Sequence, residues 1–299
     1  MKRSFRQNNN SKPFWTAKLL IIAAFIAVFY STPSTAFLGM AQQSSAGSAD
    51  PLIVETNLKV ARKGHTATQL NDGRFLIAGG ENGSGPVSGT EILDPAAAMF
   101  SSGPGMGAMR AGHTALLPGD GRVVIAGGQA GGQRLTSTEL FDPASNSIHS
   151  GPSMVQGRAG HTGLVLPDGR YLLVGGDDLG TAEIYDPAAQ SFAPLANRLR
   201  TPRSSHSMAL LQNGQVLIAG GLGISGQALT TAEIFDPATL TFSPVASPMQ
   251  SPRINPTMRV LPDGKVQVIG GDDESTMEMY NADGCRILQL YRSGGGLSR

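Results

Sequence analysis

The chain has 299 residues, of which 40% are hydrophobic and only 15% charged, and its 23 basic and 22 acidic side chains leave a formal net charge of +1. Five of the basic residues, and no acidic ones, lie in the first 36 positions, so the remainder carries 18 basic against 22 acidic side chains. A weakly acidic body with scattered arginines lacks the electrostatic footprint of a nucleic-acid binder. A single cysteine, Cys285, excludes any intrachain disulfide.

The N-terminus reads as an export leader. Lys2, Arg3, Arg6, Lys12 and Lys18 precede an unbroken apolar run over residues 19–30. That run is short for a bilayer span and right for the core of a signal peptide. Small residues at Ser34-Thr35-Ala36 and at Gly39-Met40-Ala41 suit a signal peptidase. The expectation is a leader over 1–36, removed on export to the periplasm or the outside, then a flexible Gln/Ser/Ala/Gly spacer over 37–50. The alternative is an uncleaved anchor, the one membrane contact expected.

From residue 51 to 292 the chain repeats itself, leaving 293–299 as a tail. Pairs of glycines fall at 79–80, 127–128, 175–176, 220–221 and 270–271, spaced by 48, 48, 45 and 50 residues. A period near 50 indicates stacked supersecondary units of about four strands each. Every unit opens on Arg-x-x and, in four copies, a histidine: His65, His113, His161 and His206, with Pro256 in the fifth. A first strand is expected from that residue. Asp-Gly or Asn-Gly then supplies a tight hairpin turn. Next comes a continuous apolar run such as Phe75-Leu76-Ile77-Ala78, whose lack of alternation implies burial on both faces. The Gly-Gly pair fits a sharp exit or a close backbone approach. The third strand carries Glu91-Ile92-Leu93 and its counterparts. Asp-Pro ends it in four copies, because proline has no N–H for the ladder. Phe100, Ile148, Phe192, Phe242 and Ile287, each nine residues after the repeated Glu, mark the fourth strand.

Gly-Gly after an apolar strand, an aromatic two residues after Glu, and a bulky fourth-strand residue resemble kelch repeats, in the form found in secreted bacterial proteins. The resemblance implies an all-β, kelch-type β-propeller of about five four-stranded blades. Two departures are visible: Phe or Ile stands where kelch repeats usually have Trp, and five copies are fewer than the usual six or seven. Leu52-Ile53-Val54 lies at the fourth-strand offset before Arg62, so an extra N-terminal closing strand is expected.

What recurs in every copy is expected to build the blade. Arg62, Arg110, Arg158, Arg203 and Arg253 match Glu91, Glu139, Glu183, Glu233 and Glu278 one to one, which suggests a structural ion pair within or between blades. The histidines are read as hydrogen-bonding groups that fix the first strand. Equivalent positions on separate blades form a wide ring, whereas a zinc ion needs ligands converging within about 2.0–2.1 Å. His149 and Cys285 read as bland turn residues. No nucleophile elbow, phosphate loop or metal motif is present, and no catalytic residue, metal or cofactor is expected.

Function is therefore sought where the copies differ, in the connection between strands two and three. Residues 81–89, 129–137 and 222–231 are long, Gly/Ser-rich and read as flexible. Asp177-Asp178-Leu179-Gly180 and Asp272-Asp273-Glu274-Ser275 are short and acidic. Loops on a rigid scaffold are where binding residues are placed. Asp177, Asp178, Asp272, Asp273 and Glu274 are the candidate site for a protein or glycan ligand. The competing class is a carbohydrate-active enzyme of the oxidase or epimerase kind, which propellers also support.

Overall fold

A computed structural model describes residues 18–21, 27–29, 36–39, 54–273, 276–281 and 287–292. Cys285, Glu274, Leu52, Ile53 and the 293–299 tail lie outside them, as does most of the leader and spacer. No helix among the described residues is long and apolar enough to cross a membrane.

The repeats fold as five four-stranded antiparallel sheets, each a meander with its strands in chain order. Blade 1 consists of Thr66–Gln69, Phe75–Ala78, Thr90–Asp94 and Met99–Ser102. Blade 2 has Thr114–Leu116, Val123–Ala126, Thr138–Asp142 and Ser147–Ser150. Blade 3 has Thr162–Val165, Tyr171–Val174, Ala182–Asp186 and Ser191–Pro194. Blade 4 has Ser207–Leu210, Val216–Ala219, Ala232–Asp236 and Thr241–Pro244. Blade 5 has Thr257–Val260, Val266–Ile269, Thr276–Tyr280 and Ile287–Arg292. First strands of successive blades lie side by side, which makes the ring a kelch-type β-propeller with those strands innermost.

The period of two decides which neighbour each side chain meets. Leu76, Ala78 and Ile92 of blade 1 join Val123, Ile125 and Phe141 of blade 2 in one core. Val124, Ala126 and Leu140 point the other way, to Tyr171, Leu173 and Tyr185 of blade 3. The second strands of blades 1 to 4 are thus buried along their whole length. Each buried Val, Leu, Ile or Phe among them contributes roughly 1.5–3 kcal/mol. The fourth-strand markers sit opposite the third-strand aromatics in register, Tyr185 with Phe192 and Phe235 with Phe242. Their rings meet at 4.8 and 4.9 Å.

One expectation needs correction and another is extended. The first strand begins one residue later, at Thr66 rather than His65, so the histidines precede the ladder. The residues ahead of the repeats contribute more than one closing strand. Val54–Asn57 pairs with Lys18–Ile21 in a further four-stranded sheet, ordered Ala27–Phe29, Ala36–Gly39, Lys18–Ile21, Val54–Asn57. Its pairing of Lys18–Ile21 with Ala36–Gly39 is parallel, unlike any pairing within the blades.

Candidate functional site

The segment leading into each blade and the loop between its second and third strands meet at one end of the sheet. Lys63 bridges Glu81, Ala111 bridges Gln129 and Ser204 bridges Leu222, each pinning such a loop beside the residue after the repeated arginine. All five loops therefore emerge on one face of the ring.

Below that face lie the repeated charges. Every Arg–Glu pair is made within one blade, at 2.7 to 3.0 Å. Arg158 illustrates the set: it donates to the carbonyls of Gly175 and Thr181, to the Thr181 hydroxyl and to Glu183. Glu183 also accepts the N–H groups of Val155 and Gln156, so the carboxylate anchors the lead-in chain. A buried charge needs such saturation, since an unmatched one is costly. The arginine backbone serves the previous blade: the Arg158 carbonyl accepts the Gly128 N–H at 2.9 Å. One residue thus fastens its own blade by its side chain and the neighbouring one by its main chain.

Gly-Gly is required at that joint. Both glycines have positive φ in every copy. A Cβ on Gly127 would lie 2.7 Å from the Arg158 carbonyl and 2.9 Å from the His161 ring. The histidines sit in these joints. His113 Nε2 meets Thr66 Oγ1 at 3.0 Å, and His161 Nε2 meets Thr114 Oγ1 at 2.9 Å. Burial, with a neighbouring arginine, holds His113 and His206 down to about 3 and His65 to about 4. These rings are neutral. The ring of exposed His149 meets the Ser147 hydroxyl.

The acidic candidates divide. Asp177 is buried and accepts the N–H and hydroxyl of Thr181. Asp272 holds Thr276 the same way and lies 3.4 Å from Arg253. Both carboxylates face inward and brace the threonine that carries the arginine. Asp178 is exposed and meets Arg134 of blade 2 through two bonds of 2.8 and 2.9 Å. That bond holds its carboxyl below the usual range. Asp273 is exposed. The loops of blades 1 and 2, read as flexible, contain two-stranded hairpins, Glu81–Asn82 with Gly85–Pro86 and Gln129–Ala130 with Gln133–Arg134.

Apolar residues that the repeat pattern does not mark stand on the same face. Val60, Met109 and Val155 lie in the lead-in segments, and Leu179 and Ile224 in the loops of blades 3 and 4. Their exposure runs from 43% for Val60 to 70% for Ile224. Only Met99, Val165 and Leu240 are comparably exposed elsewhere among the described residues. In the sequence, an apolar residue inside a turn was the available signal.

Residues 109–155, from the lead-in of blade 2 to that of blade 3, match the family model of the Kelch motif. A search of the curated proteins found no match to the chain. The repeats are kelch repeats, and the ring they build is a kelch-type β-propeller, a fold that serves as a binding or scaffold module.

Proposed function

We propose that this propeller is a non-catalytic binding module whose ligand is a protein, gripped by the face of the strand two–three loops. The observation that carries the reading is that Val60, Met109, Val155, Leu179 and Ile224, from the lead-ins and loops of blades 1 to 4, are all exposed on that face. Large apolar side chains exposed on one shared face offer anchors to a protein partner, since a few such residues carry most of the energy of an interface. The Arg134–Asp178 pair and the Lys63–Glu81 pair supply a charged rim. A glycan reading is less well supported. Sugar sites favour aromatic platforms and free carboxylates, while the large exposed apolar residues here are aliphatic. Of the four described acidic candidates, Asp177, Asp178 and Asp272 are engaged within the protein.

The test is to identify a partner by cross-linking in the source cell and then to measure its affinity for surface variants. Leu179→Asp and Ile224→Asp should each weaken binding about tenfold or more, as loss of an anchoring side chain does. Asp178→Asn should alter the salt dependence of binding and cost under about 1 kcal/mol of stability, since the pair is exposed. Unchanged affinity in both apolar variants rejects the reading. Binding on a glycan array that is lost with Asp273→Asn would put a sugar in its place.

A further inference from the structure

Five repeats do not by themselves close the ring. Near the axis the blades are linked by main-chain bonds from each lead-in turn to the one before it. Gly112 N–H donates to Gly64, Gly160 to Gly112, Ser205 to Gly160 and Asn255 to Ser205. A ring of five would add a bond from Gly64 back to Asn255, and that bond is not made.

Blade 5 shows the same interruption at its Gly-Gly pair. Added Cβ atoms on Gly79, Gly127, Gly175 and Gly220 would all collide with the next blade's arginine carbonyl, while one on Gly270 would meet nothing within 4 Å. Gly80, Gly128, Gly176 and Gly221 each donate to that carbonyl, and Gly271 has no such acceptor among the described residues. The joint that repeats four times is therefore not made between blade 5 and blade 1.

Yet the far side of blade 1 is not bare. Phe75, Ile77 and Leu93 are fully buried and Phe100 is 4% exposed, although no kelch blade packs on them. Leu58 joins this cluster, at the place where Met106 serves the joint between blades 1 and 2. Ahead of Leu58 the outer strand Val54–Asn57 runs beside Met99–Ser102 of blade 1, and Ala27–Phe29, at the opposite edge of its sheet, lies beside Thr257–Val260 of blade 5. That sheet spans the interval from inner edge to outer edge, as a blade does.

We propose that the ring has six positions and that the strands Lys18–Ile21, Ala27–Phe29, Ala36–Gly39 and Val54–Asn57 fill the sixth, as a blade of non-kelch sequence that seals blade 1. It meets its two neighbours unequally. The blade 1 side is apolar and closed. The blade 5 side, where the other copies present side chains such as Leu76 or Leu217, carries Gln267, half-buried, with Ile269 and Met279 also half-buried. This proposal does not rest on the protein-binding reading, because the loop face would keep its five apolar residues with either form of the ring.

The test uses the full chain with Cys285→Ser and pairs of new cysteines. One is placed in turn at Ala27, Val28 or Phe29, the other at Thr257 or Arg259, with Thr162 of blade 3 as the distant control. Disulfide formation with blade 5 but not with Thr162 is the expected result, and failure of every blade 5 pair overturns the proposal. Hydrogen exchange supplies a second measurement. In a chain that begins at Phe37, amides of Phe75–Ala78 should exchange about tenfold faster or more, with Tyr171–Val174 unchanged, as expected for loss of local protection. Equal protection in the two chains overturns it too. So does a protein recovered from its source with Phe37 as its first residue.

Discussion

The joint between blades 2 and 3 and the interval beyond blade 5 are made from the same repeat, and they behave oppositely. At the first, Gly127 and Gly128 receive the Arg158 carbonyl and the His161 ring, and Val124 and Leu140 meet Tyr171 and Leu173. At the second, Gly270 faces open space and Gln267 replaces the apolar residue. The difference teaches that a kelch blade is complete only when the following lead-in segment lands on its Gly-Gly pair. Stability is thus stored in joints as much as in sheets, as in other repeat proteins.

The sharpest way to break the regular joint is through its arginine. Arg158→Ala removes a side chain with no exposed surface and leaves Glu183 buried without its cation. The expected loss is about 3–5 kcal/mol, the range for breaking a buried pair. Chemical denaturation checks it. The double variant Arg158→Ala/Glu183→Gln should lose less than the sum of the single changes, because each single change strands a charge. Additive losses below about 1 kcal/mol, as for exposed pairs, would reject the account.

Acid should loosen the regular joints next. His113, His161 and His206 are held neutral, His113 and His206 to about 3, while the unfolded chain takes up protons near the ordinary histidine value. The unfolded state therefore binds more protons over that window, and stability falls as pH falls from about 6.5 toward 3. At pH 5 one such histidine costs about 2 kcal/mol relative to neutral pH. The joint between blades 4 and 5 has Pro256 instead of histidine. Hydrogen exchange at pH 5 and pH 7, corrected for intrinsic rates, should show weakening in Val123–Ala126 and Tyr171–Val174 and less change in Val266–Ile269. Uniform behaviour would mean that the histidines do not act joint by joint.

Much of this was legible in the sequence. The Gly-Gly spacing, the five hairpin turns and the continuous apolar runs specify four-stranded blades, and the fourth-strand markers were visible by their offset from Glu. The arginine and glutamate inventories were equal, but pairing within a blade was not readable, since nothing local distinguishes a partner 25 residues away from one in the next sheet. Asp177 and Asp272 stood out as loop carboxylates; only coordinates reveal that Thr181 and Thr276, four residues on, receive them. Residues 19–30 carry two physical meanings at once. A continuous apolar run suits a leader and equally suits buried strands, so an export signal cut after Ala36 and a sixth blade draw on the same pattern. N-terminal sequencing of the protein from its source separates them.

The smallest expected effect gives the finest comparison of the two regions. Gly127→Ala and Gly270→Ala place the same methyl at the same blade position, with nearly the same backbone, φ of 64° in both. The backbone penalty for leaving glycine at positive φ, about 1–2 kcal/mol, is therefore common to the pair. What differs is the space. At Gly127 the methyl meets a backbone carbonyl at 2.7 Å and Met154 Cε at 2.9 Å, so the joint must open or shift. At Gly270 it meets nothing within 4 Å. Gly270→Ala should cost only the backbone share, and Gly127→Ala distinctly more, by denaturant midpoint at constant slope. Equal losses would mean that the blade 5 pair is as tightly covered as the others, and the contrast between regular joints and the terminal interval would fall.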